Sequence, residues 1–180
     1  MDKGIITIAG DLGSGKSTAA QLLLCRLEGY ELYSTGKGFR AMAEKQGLTV
    51  NELSALAEKD ESIDKTMDDV LVELGKSGKK LIVDSRMGWF FIPHSFKVYL
   101  AVDYAIAAQR IIGCNRGGTE HYEDAAAAVL RLRERKESER KRFLTKYGVD
   151  IRDMRNYDIV IDTGKISAEG TVERIITAFK

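Results

Sequence analysis

Short apolar runs alternate with longer amphipathic stretches along the chain. GIITIAG (4–10), YELYST (30–35), KLIVDS (80–85), FKVYLAV (96–102) and YDIVIDT (157–163) read as five β-strands. Ile and Val are frequent in them, and several are nearly continuous apolar runs, as strands covered on both faces require. Helical periodicity predicts helices over 16–28, 36–46, 50–76 (in one piece or two), 103–113, 121–146 and 167–179. This alternation predicts an α/β fold, a parallel five-stranded sheet flanked by helices, with ligands at the carboxyl ends of the strands. Two stretches depart from the alternation: the helical region 36–76, and the Gly-rich GCNRGGTE (113–120) with the charged helix after it. There is no internal repeat or Pro-rich linker, and the one proline is Pro93. The expected organisation is one domain, with a core of 1–35, 77–112 and 147–180 and excursions at 36–76 and 113–146.

Composition narrows the partners. A chain of 180 residues, 44% apolar and 31% charged, has the balance of a soluble globular domain. The 28 Lys and Arg nearly cancel the 27 Asp and Glu, so no overall field recruits nucleic acid or a membrane surface, and an anion site must be local. Cys25, Cys114, His94 and His121 show no metal-ligand spacing. Cys25 lies on the apolar side of the first helix and is expected in the core. The apolar run between Lys3 and Gly10 is too short for a signal-peptide core or a membrane span, and two cysteines make no secreted framework. The expected location is cytoplasmic. Nothing in the pattern specifies an oligomeric state.

GDLGSGKST (10–18) leaves a predicted strand and enters a predicted helix. It fits G-x-x-x-x-G-K-[ST] through Gly10, Gly15, Lys16 and Ser17, and a chance match in a chain of this length is on the order of one in a hundred. The glycines, with Gly13, let the backbone wrap a polyphosphate, and amides at the helix start, around Ser14 to Thr18, point at its oxygens. Lys16 then reaches the outer phosphates, and the Ser17 hydroxyl ligates Mg²⁺. Asp84, at the tip of LIVDS (81–85), is the expected acidic companion for Mg²⁺; its plainer reading is a helix cap or turn residue. The ligands implied are ATP and Mg²⁺.

LRLRERKESERKRF (130–143) is the densest basic run. At about 100° per residue, Val129, Leu132 and Phe143 share the side expected to face the protein. Arg131, Arg135, Ser138 and Arg142 then project to solvent, while Arg133 and Arg140 flank the apolar stripe with Glu137 beside them. Inward cations need partners. Either these three satisfy one another as a structural network, or they line a cleft and clamp phosphate with their planar guanidinium forks. The phosphate cradle favours the clamp.

Taken together, the chain resembles the cytidylate kinases, most closely their compact branch common in archaea and some bacteria. Beside the cradle, STGKGFR (34–40) is similar to the family's S-x-G-x-x-[FY]-R element, and VDSRMG (83–88) to its D-G-R segment. RERKESER (133–140) fits its R-x-x-x-[DE]-x-x-R lid pattern, and DIVIDTGK (158–165) its last strand and adenine-bordering loop. The resemblance implies a P-loop NTPase fold, with 36–76 as a monophosphate-binding region and 113–146 as a lid. It implies that Ser34, Gly36, Arg40, Arg86, Arg133, Glu137 and Arg140 surround the acceptor nucleotide, and that Arg110 and Arg116 flank the donor or the transferring phosphoryl. The plainer alternatives are an Arg40–Glu44 surface pair, an exposed Arg86, a surface Arg116 and a Phe39 that only packs. Two residues depart from the family: Ser85 stands where Gly is usual, and Met87 where longer bacterial enzymes carry an acid that helps read cytosine.

The reaction implied moves the terminal phosphoryl of ATP to a pyrimidine nucleoside monophosphate, CMP or dCMP. Lys16, Asp84, Arg133, Arg140 and Arg116 are the expected catalytic group. The acceptor phosphate is already ionised near neutral pH, so the reaction needs alignment and charge neutralisation rather than a strong base. Alternatives are a kinase of the same fold for another small acceptor and a non-catalytic ATP-binding module. RMGWFF (86–91) reads as packing beneath the acceptor site, or as a partner surface.

Overall fold

The computed structural model describes residues 4–57, 61–113 and 124–180. Five strands, β1 (Ile5–Gly10), β2 (Glu31–Ser34), β3 (Leu81–Asp84), β4 (Phe96–Ala101) and β5 (Ile159–Asp162), form one parallel sheet in the order β2-β3-β1-β4-β5. Each lies inside a predicted run. The central strands β1 and β3 are buried along their whole length, while β2 and β5, at the edges, are half-exposed. Because every strand runs the same way, the ends of β1, β2 and β3 meet along one edge. The β1–β3 register sets Ile8 beside Asp84, and the β2–β3 register sets Ser34 beside Asp84.

Alternation along the strands makes two cores. Ile6 and Ile8 of β1, Ile82 of β3, and Val98 and Leu100 of β4 face Leu23 of α1 (Lys16–Arg26) and Val172 and Ile175 of α8 (Ala168–Phe179). Ile5, Leu81 and Val83 point the other way, against Leu71 of α4 (Glu61–Lys76) and Ile92. On that same face Ala9 and Tyr99 join Met87, Trp89, Phe143, Ile151 and Tyr157 in an aromatic-rich layer. α6 (Tyr104–Gly113) packs there with α7 (Ala125–Tyr147) through Ala107, Ala108, Ile111, Ala128 and Leu132. No helix among the described residues is long and apolar enough to cross a membrane.

Residues 35–57 and 61–76 form three helices between β2 and β3: α2 (Thr35–Lys45), α3 (Val50–Ala57) and α4. They carry a small core of their own, Ala43, Leu53, Ala57 and Ile63, against which Phe39 packs. One expectation needs correction. Cys25 is exposed rather than in the core, because α1 buries the Ala19, Ala20 and Leu23 side. The aromatic run at 86–91 packs, as its first reading expects: Gly88–Phe91 forms a short helix, α5, and Trp89 is only 6% exposed in the layer beneath α7.

Candidate active site

The loop between β1 and α1 is a wrapped, left-handed turn. Gly10, Gly13 and Gly15 have φ of +143°, +75° and +82°, and Gly15 caps α1. Gly10 has no room for a side chain, since a Cβ there would sit 2.2 Å from the Leu100 carbonyl oxygen. Lys16 folds back into the loop and its ammonium donates to the Gly10 (2.9 Å) and Asp11 (2.6 Å) carbonyls. Burial first, and then the nearby Arg86 guanidinium, bring its pKa from 10.5 down to about 8. The Ser14 hydroxyl is buried without a partner, and Ser17 and Thr18 open α1 exposed. An anion against this loop would supply the hydrogen-bond partner that Ser14 lacks.

Asp84, buried at the end of β3, accepts from Ser17 Oγ at 2.9 Å and weakly from Ser34 Oγ at 3.4 Å. Among the described residues no group of three or more His, Cys, Asp or Glu side chains is placed to hold a metal. The Asp84–Ser17 pair offers two hard oxygens beside the cradle. That set suits Mg²⁺, which keeps waters and phosphate oxygens in its shell and needs few protein ligands. The pair therefore fits the ion expected from the sequence.

Helix α7 starts on Asp124, whose carboxylate accepts from Ala127 N, and ends on the left-handed Gly148. Its inward stripe is Leu132, Lys136, Glu139 and Phe143, at i, i+4, i+7 and i+11. Lys136 pairs with Asp11 at 2.5 Å, and Glu139, with its side chain 14% exposed, pairs with Arg86 (2.8 Å) and Arg135 (3.3 Å). Asp11, Arg86, Lys136 and Glu139 line a cleft with Gly10, Tyr99, Tyr104 and Tyr157. Arg133 and Arg140 are not the inward cations. Arg133 is exposed over the Tyr104 ring. Arg140 turns to the far flank, onto Asp150 (2.7 Å) and Glu137 (3.4 Å), and Glu137 also pairs with Arg152. Arg142, expected in solvent, is half-buried against Phe143, and its Nε is buried without a hydrogen-bond partner. The R-x-x-x-[DE]-x-x-R spacing occurs twice in this run, and Arg135, Glu139 and Arg142 are its second instance. Of that register, shifted by two residues, Glu139 lines the cleft and holds Arg135, while Arg142 lines a second hollow with Asp64, Glu137 and Lys146. Extending the Leu132–Phe143 stripe through Lys136 and Glu139 is the signal that reveals this register.

The matching family model is the cytidylate kinase-like family, over residues 5–165. The chain belongs to this family. It is 36% identical over 174 residues to a cytidylate kinase of Archaeoglobus fulgidus, covering 96% of this chain and 93% of that one. A cytidylate kinase of Methanobrevibacter smithii is 35% identical over 176 residues, 98% of each chain. Shikimate kinase from Bacteroides thetaiotaomicron superposes with a TM-score of 0.67 at 14% identity over 96% of both chains, a likeness of fold alone. The fold is thus that of P-loop kinases, and the chain is a nucleotide kinase of this family.

The other family-implied residues fall on both sides of the cradle. Ser34, Gly36 and Arg40 lie together at the start of α2: a Cβ on Gly36 would be 3.7 Å from Arg40 Nη1 and 3.8 Å from Ser34 Oγ. Among the described residues no ion pair joins Arg40 to Glu44. Arg110 donates to the Gly13 carbonyl (3.3 Å) and the Thr163 carbonyl (2.7 Å), tying the cradle to the loop after β5. Arg116, like Cys114 and His121, lies outside the described residues. The acceptor-side helices are also tied to α7: Lys146 pairs with Asp64 (3.2 Å), and the Tyr147 hydroxyl donates to Asp68 (2.6 Å). Met87 is buried in the aromatic layer, so position 87 presents no polar atom to a base. Asp11 and Lys136 were missed by motif reading because the motifs leave their positions unspecified, and Glu139 because it belongs to the second register.

Proposed function

We propose that the chain transfers the terminal phosphoryl of Mg–ATP to the phosphate of a pyrimidine nucleoside monophosphate, CMP or dCMP. The observation that carries this reading is Arg86. It follows Asp84 by two residues, is held on Glu139 of α7, and lies close enough to Lys16 to lower its pKa. One guanidinium thus borders the donor cradle and the arginines of the helix opposite. Donor phosphates would lie on the cradle amides and Lys16, with Arg110 and the 162–165 loop bordering the donor base. Bound at Ser17 and Asp84, Mg²⁺ neutralises charge on the phosphate oxygens. Arg86, Arg135 and Arg142, with Arg40 across the cleft, draw the acceptor phosphate toward the donor against their mutual repulsion. Glu139 holds Arg86 and Arg135 to one carboxylate, so the pair is set before substrate arrives. α7 covers the cleft and excludes water, which favours transfer over hydrolysis.

ADP formation measured with Mg–ATP against CMP, dCMP, UMP, AMP, GMP and no acceptor tests the reading. Turnover confined to CMP and dCMP supports it. Turnover independent of acceptor, or preference for another base, discards the cytidylate assignment.

The two registers of the lid pattern give opposite expectations. Arg142→Ala is expected to raise the acceptor KM about ten- to a hundredfold while leaving the donor KM within about threefold. Arg140→Ala removes the bonds to Asp150 and Glu137, so it is expected to lower the thermal midpoint and leave the acceptor KM unchanged. Steady-state kinetics and melts of both variants check this, and the reverse pattern restores the 133/137/140 register.

A further inference from the structure

The second residue of the cradle is a carboxylate, in a loop otherwise built to receive anions. Asp11 is held by three donors, two from β4 and the residue after it and one from α7. Its Oδ1 accepts from the Tyr99 hydroxyl (2.7 Å) and pairs with Lys136 Nζ (2.5 Å), and its Oδ2 accepts from Val102 N (3.1 Å). Its own carbonyl holds the Lys16 ammonium. A fixed negative charge therefore sits in the same residue whose backbone helps place the phosphate-binding lysine.

Two of the three donors are neutral. Burial and the Asp11 charge push the Tyr99 hydroxyl well above its usual pKa, so it remains a donor and adds no charge. Among the described residues, the cation paired with Asp11 is Lys136, from α7 rather than from the core. Both side chains are largely shielded, 21% exposed for Lys136 and 10% for Asp11, and Lys136 also lies 5.4 Å from the centre of the Tyr104 ring. Charges shielded in this way are poorly screened by solvent.

We propose that Lys136 is a positioning residue that completes the donor site electrostatically. With α7 seated, Lys136 neutralises Asp11 and the cradle accepts a polyphosphate. With α7 raised, Asp11 is left unpaired and repels it. Donor affinity is thereby linked to the seating of α7, and by reciprocity a bound donor favours the seated helix. This also gives the inward ion pair a purpose in a stripe otherwise apolar at Leu132 and Phe143. The proposal rests on the reading that the cradle binds a nucleoside triphosphate.

The test is calorimetric titration of Mg–ATP into the full chain at low salt, with no acceptor, so that it reads binding and not turnover. Lys136→Met is expected to weaken binding about ten- to a hundredfold. In the Asp11→Asn background the same substitution is expected to change affinity by less than about threefold. A loss of equal size in both backgrounds overturns the proposal, because Lys136 then touches phosphate directly. No loss in either background also overturns it, leaving a bridge with no part in donor binding. Should Asp11→Asn disturb Tyr99 and Val102 enough to prevent folding, the series Lys136→Arg, Lys136→Gln and Lys136→Glu leaves Asp11 in place. Affinity should fall in that order, with differences that shrink as KCl rises; three equal affinities sink the idea. A wild-type chain that does not bind Mg–ATP overturns the nucleotide reading as well, whereas wild-type binding with an unaffected Lys136→Met variant overturns only this proposal.

Discussion

Lys16→Met is expected to lower the turnover number about a hundred- to a thousandfold while the protein stays folded. The methionine keeps most of the length of the side chain and removes the charge. Lys16 contributes two hydrogen bonds to backbone carbonyls, but its burial beside Arg86 works against the charged form. The substitution thus removes an interaction that matters with phosphate bound and relieves an unfavourable one without it. Circular dichroism and a melt check the fold, and single-turnover ADP formation checks the chemistry. A variant within tenfold of wild type removes Lys16 from the catalytic group.

The same residue sets a pH dependence whose sign is opposite to that of a salt-bridged lysine. Its folded pKa, about 8, lies below the ordinary 10.5. Between those values the unfolded chain binds the proton that the folded one has released, so this residue's contribution to stability rises with pH across that window. Below about 8 the burial cost is present in full. Donor binding needs the ammonium, so Mg–ATP affinity is expected to fall as pH passes 8 and binding there to take up protons. Titrations in buffers of different ionisation enthalpy measure the uptake, which should vanish in Lys16→Met.

Gly10→Ala is the second large effect, and it acts on folding. A Cβ at this position would lie 2.2 Å from the Leu100 carbonyl oxygen and 2.7 Å from the Leu100 nitrogen, with φ at +143°. Both neighbours are backbone of β4, paired with β1 at this register, and Asp11 N also donates to the Leu100 oxygen at 2.9 Å. No side chain can swing aside, so the two central strands would have to separate where the cradle begins. A cost of about 3 kcal/mol or more is expected, out of a total stability of about 5–15 kcal/mol for a domain. Gly15→Ala is the control: its φ is +82° but nothing lies within 4 Å of a Cβ, so only the conformational cost of about 1–2 kcal/mol applies. Urea unfolding of both variants checks the difference. Equal destabilisation would remove the close approach as the cause.

How much of this was legible in the chain follows from which interactions are local. Each strand lies inside its apolar run, and the cradle has the glycines, lysine and serine its motif demands, because strand burial and loop wrapping depend on neighbours in sequence. Asp84 and Ser17 meet because Asp84 ends β3 and Ser17 opens the helix that follows the neighbouring parallel strand β1. The family pattern on α7 was readable too, but its register was not: the spacing fits at 133/137/140 and again at 135/139/142. Two arginine sets two residues apart differ by about 200° around a helix. Only the contacts of α7 distinguish their surroundings, with Leu132 and Phe143 packed inward, Arg140 drawn off by Asp150, and Glu139 fixed on Arg86. Asp11 and Lys136 are far apart in sequence and belong to no motif. Their pairing exists because α7 crosses above the end of β1, a matter of tertiary packing that no local pattern encodes. The sequence by itself determined the strands, the glycine-rich loop and the nearness of Ser17 and Asp84 to it. Tertiary structure decided which charges of the basic helix face them, since a side chain's direction on a helix acquires meaning only when a neighbour occupies one side of it.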